Sequence, residues 1–395
     1  MDLWLNNRTA RELANNLTCS QSNQMPGCVY EDDKVAAFTL GVIDAHDAST
    51  PLHIYVAWHN THEPLEVPQA QLDKFDYVFS NCTAMDGGSP NKNNTCSSQL
   101  LAATEDGPFG LLADKPCCFR QFYSAMTNYV DMHVGQVVDA LKAKGMWDQT
   151  LMVVSSDNGG PIYRNGSAGA NNWPLRGGKK SNFEGGVRVN AFVTGGLVPA
   201  ARRGQVEEGF AASEDWFRTL AGLAGVDPED AKAAAAGLPP VEGYDLWPLL
   251  SGANATSPRT ELWLGSGGAG DVDNSQDPIL QGLIRSDGWK VLWGNVIENT
   301  WTGPFYPNKT TAWCDTCPLD CGTIDAPTCL FNVLSDPTEH ENLAAANPSI
   351  VRDMSARLQE LTKGIFAPDR GKPDDTDACY AGDKVYDGWV GPFLP

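Results

Sequence analysis

Two short apolar segments and one long amphipathic segment organise the first half of the chain. Pro51–Trp58 and Leu151–Val154 are apolar runs of the length that forms buried strands. Between them, Cys118–Lys144 carries apolar side chains at intervals of three and four residues, and Gly145 follows it, which predicts a long helix that ends there. Strand, helix and strand in this order predict a βαβ-like unit.

The alternation of strand and helix continues to about residue 256 and then changes. A strand is predicted at Val187–Thr194 and a helix at Glu214–Leu223. The later elements are predicted to be four short antiparallel strands and a helix: Glu261–Leu264, Leu283–Arg285, Trp289–Trp293, Leu330–Val333 and a helix from Pro348. We therefore predict an α/β protein with a large domain over residues 1–256 and a smaller subdomain with an antiparallel sheet over 257–395.

Polar side chains directly follow both predicted strands of the βαβ-like unit. His59 and His62 come after the first strand, and Asp157 and Asn158 come after the second. Ligands of open α/β sheets collect at the carboxyl ends of the strands, so these side chains are expected to share a site. Carboxylate and amide oxygens suit Ca²⁺ or Mg²⁺, and histidine can donate a proton or bind an oxyanion. The alternatives are that Asp-Asn-Gly-Gly is a turn and that the histidines are solvated loop residues.

A group of cations follows within a short distance in the sequence. A Gly-rich stretch of thirteen residues contains four basic side chains: Arg176, Lys179, Lys180 and Arg188. Fixed positive charge suits a bound anion or a group on which negative charge develops during a reaction. A lysine pair in such a loop is more often solvent-facing, which is the alternative. Together with the predicted metal ligands, the cations predict an oxyanion bound between a metal ion and basic side chains.

Length and charge restrict the class of protein. The chain has 395 residues, 42% of them hydrophobic, which is enough to fill a large core. The net charge of -21 argues against nucleic acid or an anionic membrane surface as a partner, because both need a basic surface. No apolar stretch approaches the roughly 20 residues of a membrane span.

Glycosylation sequons and cysteines favour the secretory pathway, with a lysosomal or extracellular destination. Seven Asn-x-Ser/Thr sequons occur, at Asn7, Asn16, Asn81, Asn93, Asn165, Asn254 and Asn308. Local groups among the eleven cysteines could form disulfides: Cys19 with Cys28, Cys82 with Cys96, and the group Cys314, Cys317, Cys321 and Cys329. The last group also resembles a thiolate metal site, but the sequons favour disulfides. An odd number leaves at least one cysteine unpaired in a monomer, and no signal peptide is visible at the amino terminus.

Several segments match one known family in order and spacing. The stronger matches are Tyr55–Pro68, Ser156–Gly160, Asn171–Lys179 and Glu184–Arg188. Weaker matches continue through Asp215-Trp216, Gly243–Trp247, Gly288–Leu292 and Asp336-Pro337. On these segments the chain resembles the sulfatase family, and within it the arylsulfatase B (N-acetylgalactosamine 4-sulfatase) branch. The resemblance covers nearly the whole chain.

The resemblance implies an alkaline-phosphatase-like fold, a three-layer α/β/α sandwich that would be incomplete here at its amino terminus. It also implies a bound Ca²⁺ and hydrolysis of sulfate esters of glycans or aryl groups. By motif position, Asp157 and Asn158 correspond to metal ligands, Lys179 to a residue that binds the sulfate, and His62 to a residue that contacts the sulfate or the leaving oxygen. It assigns no role to three other basic residues, Arg176, Lys180 and His59.

The nucleophile that the resemblance implies has no counterpart in the sequence. Sulfatases of this kind attack sulfur with a formylglycine, which a formylglycine-generating enzyme makes from Cys or Ser in a Cys/Ser-x-Pro/Ala-x-Arg motif. None of the eleven cysteines lies in such a motif, and the segment Ser257-Pro258-Arg259 has the wrong register. The adjacent pair Asp32-Asp33 is not accepted as the family's first metal pair, because no apolar strand precedes it. We therefore expect an amino-terminally truncated sulfatase sequence that is inactive as it stands.

Two other hypotheses remain open. The first is a natural non-catalytic protein that binds sulfated glycans. The second is a phosphoester hydrolase of the same superfamily, which would need additional His and Asp metal ligands. The spacing of the six histidines, at His46, His53, His59, His62, His133 and His340, does not predict a dinuclear zinc site around Asp157.

Overall fold

The structure is a computed structural model that describes residues 4–5, 8–10, 24–78, 116–162, 169–265, 280–304, 318–364 and 379–386. Within these ranges, each helix is too short or too polar to cross a lipid bilayer.

The first two thirds of the described chain are mainly helical. In chain order the elements are β1 (Trp4–Leu5), β2 (Arg8–Thr9), α1 (Glu31–Ala45), α2 (Gln69–Leu72), α3 (Pro116–Ala143), β3 (Met152–Ser155), α4 (Glu184–Val187), β4 (Ala191–Thr194), α5 (Asp215–Leu223), α6 (Ala231–Ala235) and α7 (Trp247–Ser251). Short 3₁₀ turns lie at Asp73–Phe75, Trp147–Gln149 and Ala200–Arg202.

The last third is mainly antiparallel sheet. Its elements are β5 (Glu261–Gly265), β6 (Leu280–Arg285), β7 (Trp289–Leu292), β8 (Asn295–Val296), β9 (Leu319–Asp320), β10 (Gly322–Thr323), β11 (Ala326–Pro327), β12 (Cys329–Asn332), α8 (Pro348–Thr362) and a π-helical turn at Ala381–Val385.

The long helix predicted from the three- and four-residue spacing is confirmed as α3. Its apolar face, which includes Phe119, Phe122 and Met126, is buried against Val67 and Leu72. The helix ends as expected, because Gly145 takes a left-handed conformation with φ 72° that side chains disfavour. This packing holds the segment around Val67 and Leu72 against the first half of α3.

The strand at 152 is confirmed, and its partner is shorter than predicted. β3 pairs antiparallel with β4, with Met152 opposite Thr194 and Ser155 opposite Ala191. The prediction of a strand from residue 187 onwards is wrong for its first part, because Glu184–Val187 forms the helical turn α4. Tandem glycines at 185 and 186 allow that turn to pack directly on neighbouring backbone.

The predicted strand at Pro51–Trp58 does not form among the described residues, so the predicted βαβ-like unit is not found there. The segment does keep the period of two, since Leu52, Ile54 and Val56 are half-buried while Tyr55 is 87% exposed. Alternation gives one apolar face, but a strand also needs a neighbour for its backbone hydrogen bonds. Within the described ranges no strand pairs with this segment.

A four-stranded antiparallel sheet in the order β12-β7-β6-β5 confirms the smaller second sheet. Successive residues of a strand point to opposite faces, so each strand contributes to two cores. One face carries Leu283, Val291 and Leu330 and packs on Met354 and Leu358 of α8. The other face carries Ile284, Leu292 and Phe331 and packs around Phe183, from the segment just before α4. The second sheet is therefore in direct contact with the Gly-rich segment of the first part.

Most of the cysteines whose state the structure describes are in disulfides. Cys321 and Cys329 form a disulfide with each other. Cys28 and Cys118 are each part of another disulfide. The alternative interpretation, a thiolate metal site that includes Cys321, is therefore wrong, because this sulfur is in a disulfide. Cys379 is free and exposed. Of the seven sequons, Asn254 is exposed on the surface, and the other six lie outside the described residues, as do Cys19, Cys82, Cys96, Cys314 and Cys317.

Candidate functional site

Two glycine-rich loops carry three of the four predicted site residues. Asp157 and Asn158 directly follow β3, and Lys179 lies in the segment before α4. The Asn172 side chain joins the loops: its Oδ1 accepts from Gly160 N at 3.0 Å, and its Nδ2 donates to Gly160 O at 2.7 Å and to Gly177 O at 2.9 Å. Lys179 N donates to the same Gly160 O at 3.2 Å. The candidate metal ligands and the candidate sulfate-binding lysine are thus fixed to each other.

The glycines are required because the loops pack backbone against backbone. A Cβ on Gly159 would overlap the carbonyl oxygen of Gly185, and a Cβ on Gly178 would overlap that of Gly160. Gly159 N also donates to Gly186 O at 2.9 Å. Because any side chain would separate these backbones, the glycines set the distance between the two loops.

His62 and Lys179 are brought together from positions 117 residues apart. The Lys179 Nζ and His62 Nε2 atoms lie 3.0 Å apart. The other ring nitrogen of His62, Nδ1, lies 2.8 Å from the carbonyl oxygen of Glu63. A carbonyl accepts only, so Nδ1 carries the proton and Nε2 accepts from the ammonium. The predicted pair therefore forms a contact in which a neutral imidazole faces a cation.

A buried carboxylate holds the loop that carries His62. Asp32, in the first turn of α1, is 1% exposed, and its two oxygens accept from His59 N at 2.9 Å and Asn60 N at 3.2 Å. The Tyr30 hydroxyl donates to Asn60 Oδ1 at 2.5 Å and lies 2.7 Å from Glu66 O. Burial raises the pKa of Tyr30, and the negative charge of Asp32 adds to the effect. The phenol therefore stays protonated as a donor to this loop.

Sequence reasoning missed this role of Asp32. The residue was considered only as a metal ligand, whereas the structure uses its oxygens for backbone amides. A signal was present, because three acidic residues at 31–33 precede an apolar-periodic segment, as is typical of the first turn of a helix. A carboxylate in the first turn of a helix can also accept hydrogen bonds from the backbone amides of a neighbouring loop, as Asp32 does here.

Asp157 and Asn158 carry the oxygen atoms that Ca²⁺ prefers as ligands, but they are too few to bind it tightly. Asp157 is exposed, and Asn158 Nδ2 donates to Asp157 Oδ1 at 2.7 Å, so the nitrogen of the Asn158 amide rather than its oxygen faces the carboxylate. Ca²⁺ takes about 6–8 oxygen ligands. In the part of the chain that the structure describes, no group of three or more His, Cys, Asp or Glu residues could hold a metal ion.

The remaining predicted cations differ in their surroundings. Arg176 is buried, and its guanidinium lies 4.0 Å from the centre of the Phe183 ring and 4.3 Å from that of Trp301. It donates to Asn299 O at 2.7 Å, and burial lowers its pKa to about 10. Lys180 is exposed, with a left-handed φ of 74°. Arg176 therefore anchors the loop, and Lys179 is the cation that meets His62.

A buried ionic triad connects the loops to the second sheet. Lys290 of β7 is fully buried, and its Nζ lies 3.0 Å from Glu184 Oε1 and 2.8 Å from Glu339 Oε1. Glu339 Oε2 accepts from Glu184 N at 2.7 Å. Burial raises the pKa of Glu339, opposed by the charge of Lys290. Burial also lowers the pKa of Lys290, but the carboxylates outweigh that effect and the net shift is upward. Sequence reasoning missed the triad, since nothing local distinguishes a buried lysine in a strand from an exposed one.

Comparison with known proteins identifies the family to which these loops belong. The family model described as Sulfatase matches residues 4–226. Arylsulfatase J of Mus musculus is 28% identical over 359 residues, which cover 85% of this chain and 49% of that protein. Arylsulfatase A of Homo sapiens is 30% identical over 251 residues, covering 60% of this chain and 42% of that protein. The chain spans about half the length of the curated relatives it matches.

Solved structures agree with the fold class. The crystal structure of Ps i-CgsB in complex with k-i-k-neocarrahexaose has a TM-score of 0.56 and 21% identity, over 91% of this chain and 60% of that one. A protein in complex with its substrate D-glucosamine-2-N,6-O-disulfate has a TM-score of 0.53 and 15% identity, over 85% of this chain and 70% of that one. The predicted alkaline-phosphatase-like α/β fold with a small carboxyl-terminal antiparallel sheet is confirmed. Since the family model covers more than half of its residues, this chain belongs to the sulfatase family.

Proposed function

We propose that this chain supplies the sulfate-binding part of a sulfuric ester hydrolase. One observation carries the proposal: His62 Nε2 and Lys179 Nζ lie 3.0 Å apart although they are 117 residues apart in the chain. A salt bridge to a nearby acid would explain a surface lysine more simply, but this ammonium faces a neutral imidazole. A cation that is not neutralised by a carboxylate in this contact is available to an anionic ligand.

The two residues would act on different atoms of a sulfate ester. Lys179 would donate hydrogen bonds to a sulfate oxygen and offset its charge, which matters most where negative charge develops. His62, protonated at Nδ1, has its lone pair at Nε2, where it would take up the proton that an attacking hydroxyl releases. It would give that proton to the oxygen of the departing alcohol as the bond between sulfur and that oxygen breaks. Binding of the sulfate would replace the contact between Lys179 and His62 and leave Nε2 free for that exchange.

We propose that Asp157 and Asn158 are two of the oxygen ligands of a Ca²⁺ ion. When bound, such an ion would neutralise charge on the sulfate. Two ligands hold Ca²⁺ weakly, so this chain alone is expected to bind it weakly. Calorimetry that showed tight Ca²⁺ binding would contradict this ligand assignment.

The group that attacks sulfur is not encoded in these 395 residues, because no formylglycine motif occurs. We therefore propose that this chain alone does not turn over sulfate esters. A complete form would carry a formylglycine made by its generating enzyme, and would act on a sulfated glycan, as the arylsulfatase B resemblance implies. The disulfides and the exposed Asn254 sequon support a lysosomal or extracellular location.

Anion binding tests the proposal without requiring turnover. We expect the 395-residue protein to bind inorganic sulfate in a calorimetric titration, and Lys179→Ala to weaken this binding by about 10- to 100-fold, the value of a charged hydrogen bond. Lys180→Ala is the matched control and should change the affinity by less than about twofold, since the neighbouring residue is exposed and does not contact His62. Equal effects of the two substitutions would refute the assigned role of Lys179.

An activity assay can distinguish an enzyme from a non-catalytic protein that binds sulfated glycans only if a longer form of the chain is tested. The 395-residue protein should give no turnover of an aryl sulfate above a Lys179→Ala control. A form extended by in-frame upstream sequence with a Cys-x-Pro-x-Arg motif should be active. Sulfate binding without such upstream sequence would favour the binder.

A further inference from the structure

We propose that Trp173 is a stacking platform for the sugar ring that carries the sulfate, which makes it a residue that selects a glycan substrate. The inference rests on the proposed function, because it adds a sugar subsite beside the sulfate-binding pair His62 and Lys179.

Trp173 differs from the other tryptophans by its exposure. It is 54% exposed, whereas the others whose burial the structure describes are at least partly buried: Trp58, Trp147, Trp216, Trp247, Trp263, Trp289, Trp293 and Trp301. Its indole makes no ring contact and no side-chain hydrogen bond to another described residue. Leaving so large an apolar side chain in water forgoes the stabilisation that burial would give.

The backbone beneath the exposed ring is held firmly. The Asn171 Oδ1 atom accepts from Trp173 N at 2.8 Å and from Thr302 Oγ1 at 2.8 Å, and Asn171 Nδ2 donates to Gly303 O at 3.0 Å. On its other side Pro174 restricts the chain. An exposed aromatic ring on a mobile loop would lose entropy on binding, whereas a fixed turn presents the ring at lower cost.

This turn adjoins the sulfate-binding pair. The residue next to Trp173 is Asn172, whose amide bonds to Gly160 and Gly177. Gly160 O in turn accepts from Lys179 N at 3.2 Å. The turn that carries the platform and the loop that carries the ammonium therefore belong to one hydrogen-bonded unit.

The chemistry of the ring fits a pyranose. The face of an indole carries negative electrostatic potential, and the C–H groups on the flat face of a sugar are apolar and weakly positive. The indole N–H is a donor with an available partner in a sugar hydroxyl. A bare sulfate ion offers no such face, so Trp173 is expected to distinguish sugar sulfates from inorganic sulfate.

Binding of two probes tests the inference. Calorimetric affinities of the 395-residue protein are measured for N-acetylgalactosamine 4-sulfate and for inorganic sulfate. Trp173→Ala should weaken binding of the sugar sulfate by about three- to tenfold, the range of an aromatic contact, and change sulfate binding by less than about twofold. Trp173→Phe keeps a stacking face and should recover most of the affinity. Phe217→Ala, at an aromatic residue of α5 that is 56% exposed, is the matched control and should leave both affinities unchanged.

The outcomes are separable. The inference is overturned if Trp173→Ala leaves the sugar affinity unchanged, if it weakens both probes equally, or if the wild type does not bind the sugar sulfate. It is also overturned if the substitution weakens binding of 4-nitrophenyl sulfate but not of the sugar. If Lys179→Ala leaves both affinities unchanged while Trp173→Ala lowers that for the sugar, the sulfate-binding proposal fails and the platform stands. Thermal melting of each variant verifies that it folds.

Discussion

Replacement of Lys290 by Met should destabilise the folded protein strongly, because it leaves two buried carboxylates without their cation. Lys290 and Glu339 are fully buried and Glu184 is 4% exposed. Both carboxylates lie within 3.0 Å of the ammonium. Methionine has nearly the shape of the lysine stem, so the substitution removes the charge without opening a large cavity.

The expected loss follows from the burial of the triad. Removing one partner of a buried ion pair costs about 3–5 kcal/mol, since the remaining charge keeps its desolvation penalty and loses its compensation. Here one cation serves two carboxylates, which places the expectation at the upper part of that range. Part of the penalty can be relieved by protonation of Glu339, whose pKa burial already raises. Lys290→Met combined with Glu339→Gln should therefore be more stable than Lys290→Met alone.

Urea unfolding at pH 7 measures the effect, with Lys363→Met as the control. Lys363 pairs with Glu360 at 2.6 Å on α8, but both side chains are largely exposed, so its loss should not change the unfolding midpoint measurably. A free energy of unfolding for Lys290→Met within about 1 kcal/mol of the wild type would refute the reasoning, because it would show that the carboxylates tolerate the loss of their cation. The same variant should bind sulfate less tightly, since Glu184 begins the turn on which the glycine loops pack.

Three further predictions concern pH, the histidine loop and the glycines. Burial raises the pKa of Glu339, so the carboxyl group binds a proton more tightly in the folded state than in the unfolded chain. The contribution of this group to the free energy of unfolding therefore increases as the pH falls towards 4.5, the ordinary pKa of this group. The stability of the wild type relative to Glu339→Gln should thus rise between pH 7 and 5 in urea titrations; a constant difference would contradict it. Asp32→Asn should lower sulfate affinity several-fold in calorimetry by loosening the loop it binds, while Asp33→Asn, at the neighbouring and more exposed acid, should not. Gly159→Ala should lower the melting temperature and cost at least about 1–3 kcal/mol through overlap with a neighbouring carbonyl, whereas Gly41→Ala, where a Cβ meets nothing, should gain about 0.5–1 kcal/mol.

Elements whose pattern is decided within one segment were predicted well. The helix that became α3 has a complete apolar face and a glycine at its end, so its bounds agree with the structure to within about two residues. The segment Pro51–Trp58 has an equally clear alternation and yet forms no strand among the described residues. Strand formation depends on a partner elsewhere in the chain, and no local pattern carries that information.

The candidate site was predictable only where a local sequence motif marks its residues. A motif position pointed to His62 and Lys179, and the structure places them in contact. Asp32 and Lys290 were not found, because their roles depend on contacts with segments 27 and 106 residues away. Polar residues acquire such roles from burial, which one sequence does not reveal.

The division into two domains at residue 256 stays a prediction. Contacts cross this division, since Phe183 packs within the core of the second sheet and Arg259 pairs with Asp215.

The contact between His62 and Lys179 also has a thermodynamic consequence for the whole fold. A sulfate ion held by Lys179 depends on loops that only the folded chain assembles, since His62 and Lys179 are 117 residues apart in the chain. The unfolded chain does not offer this site, so the anion binds the folded state selectively and stabilises it by mass action, by about 2.7 kcal/mol at a concentration one hundred times its dissociation constant. The resistance of this protein to heat is therefore expected to be a property of its buffer as well as of its sequence.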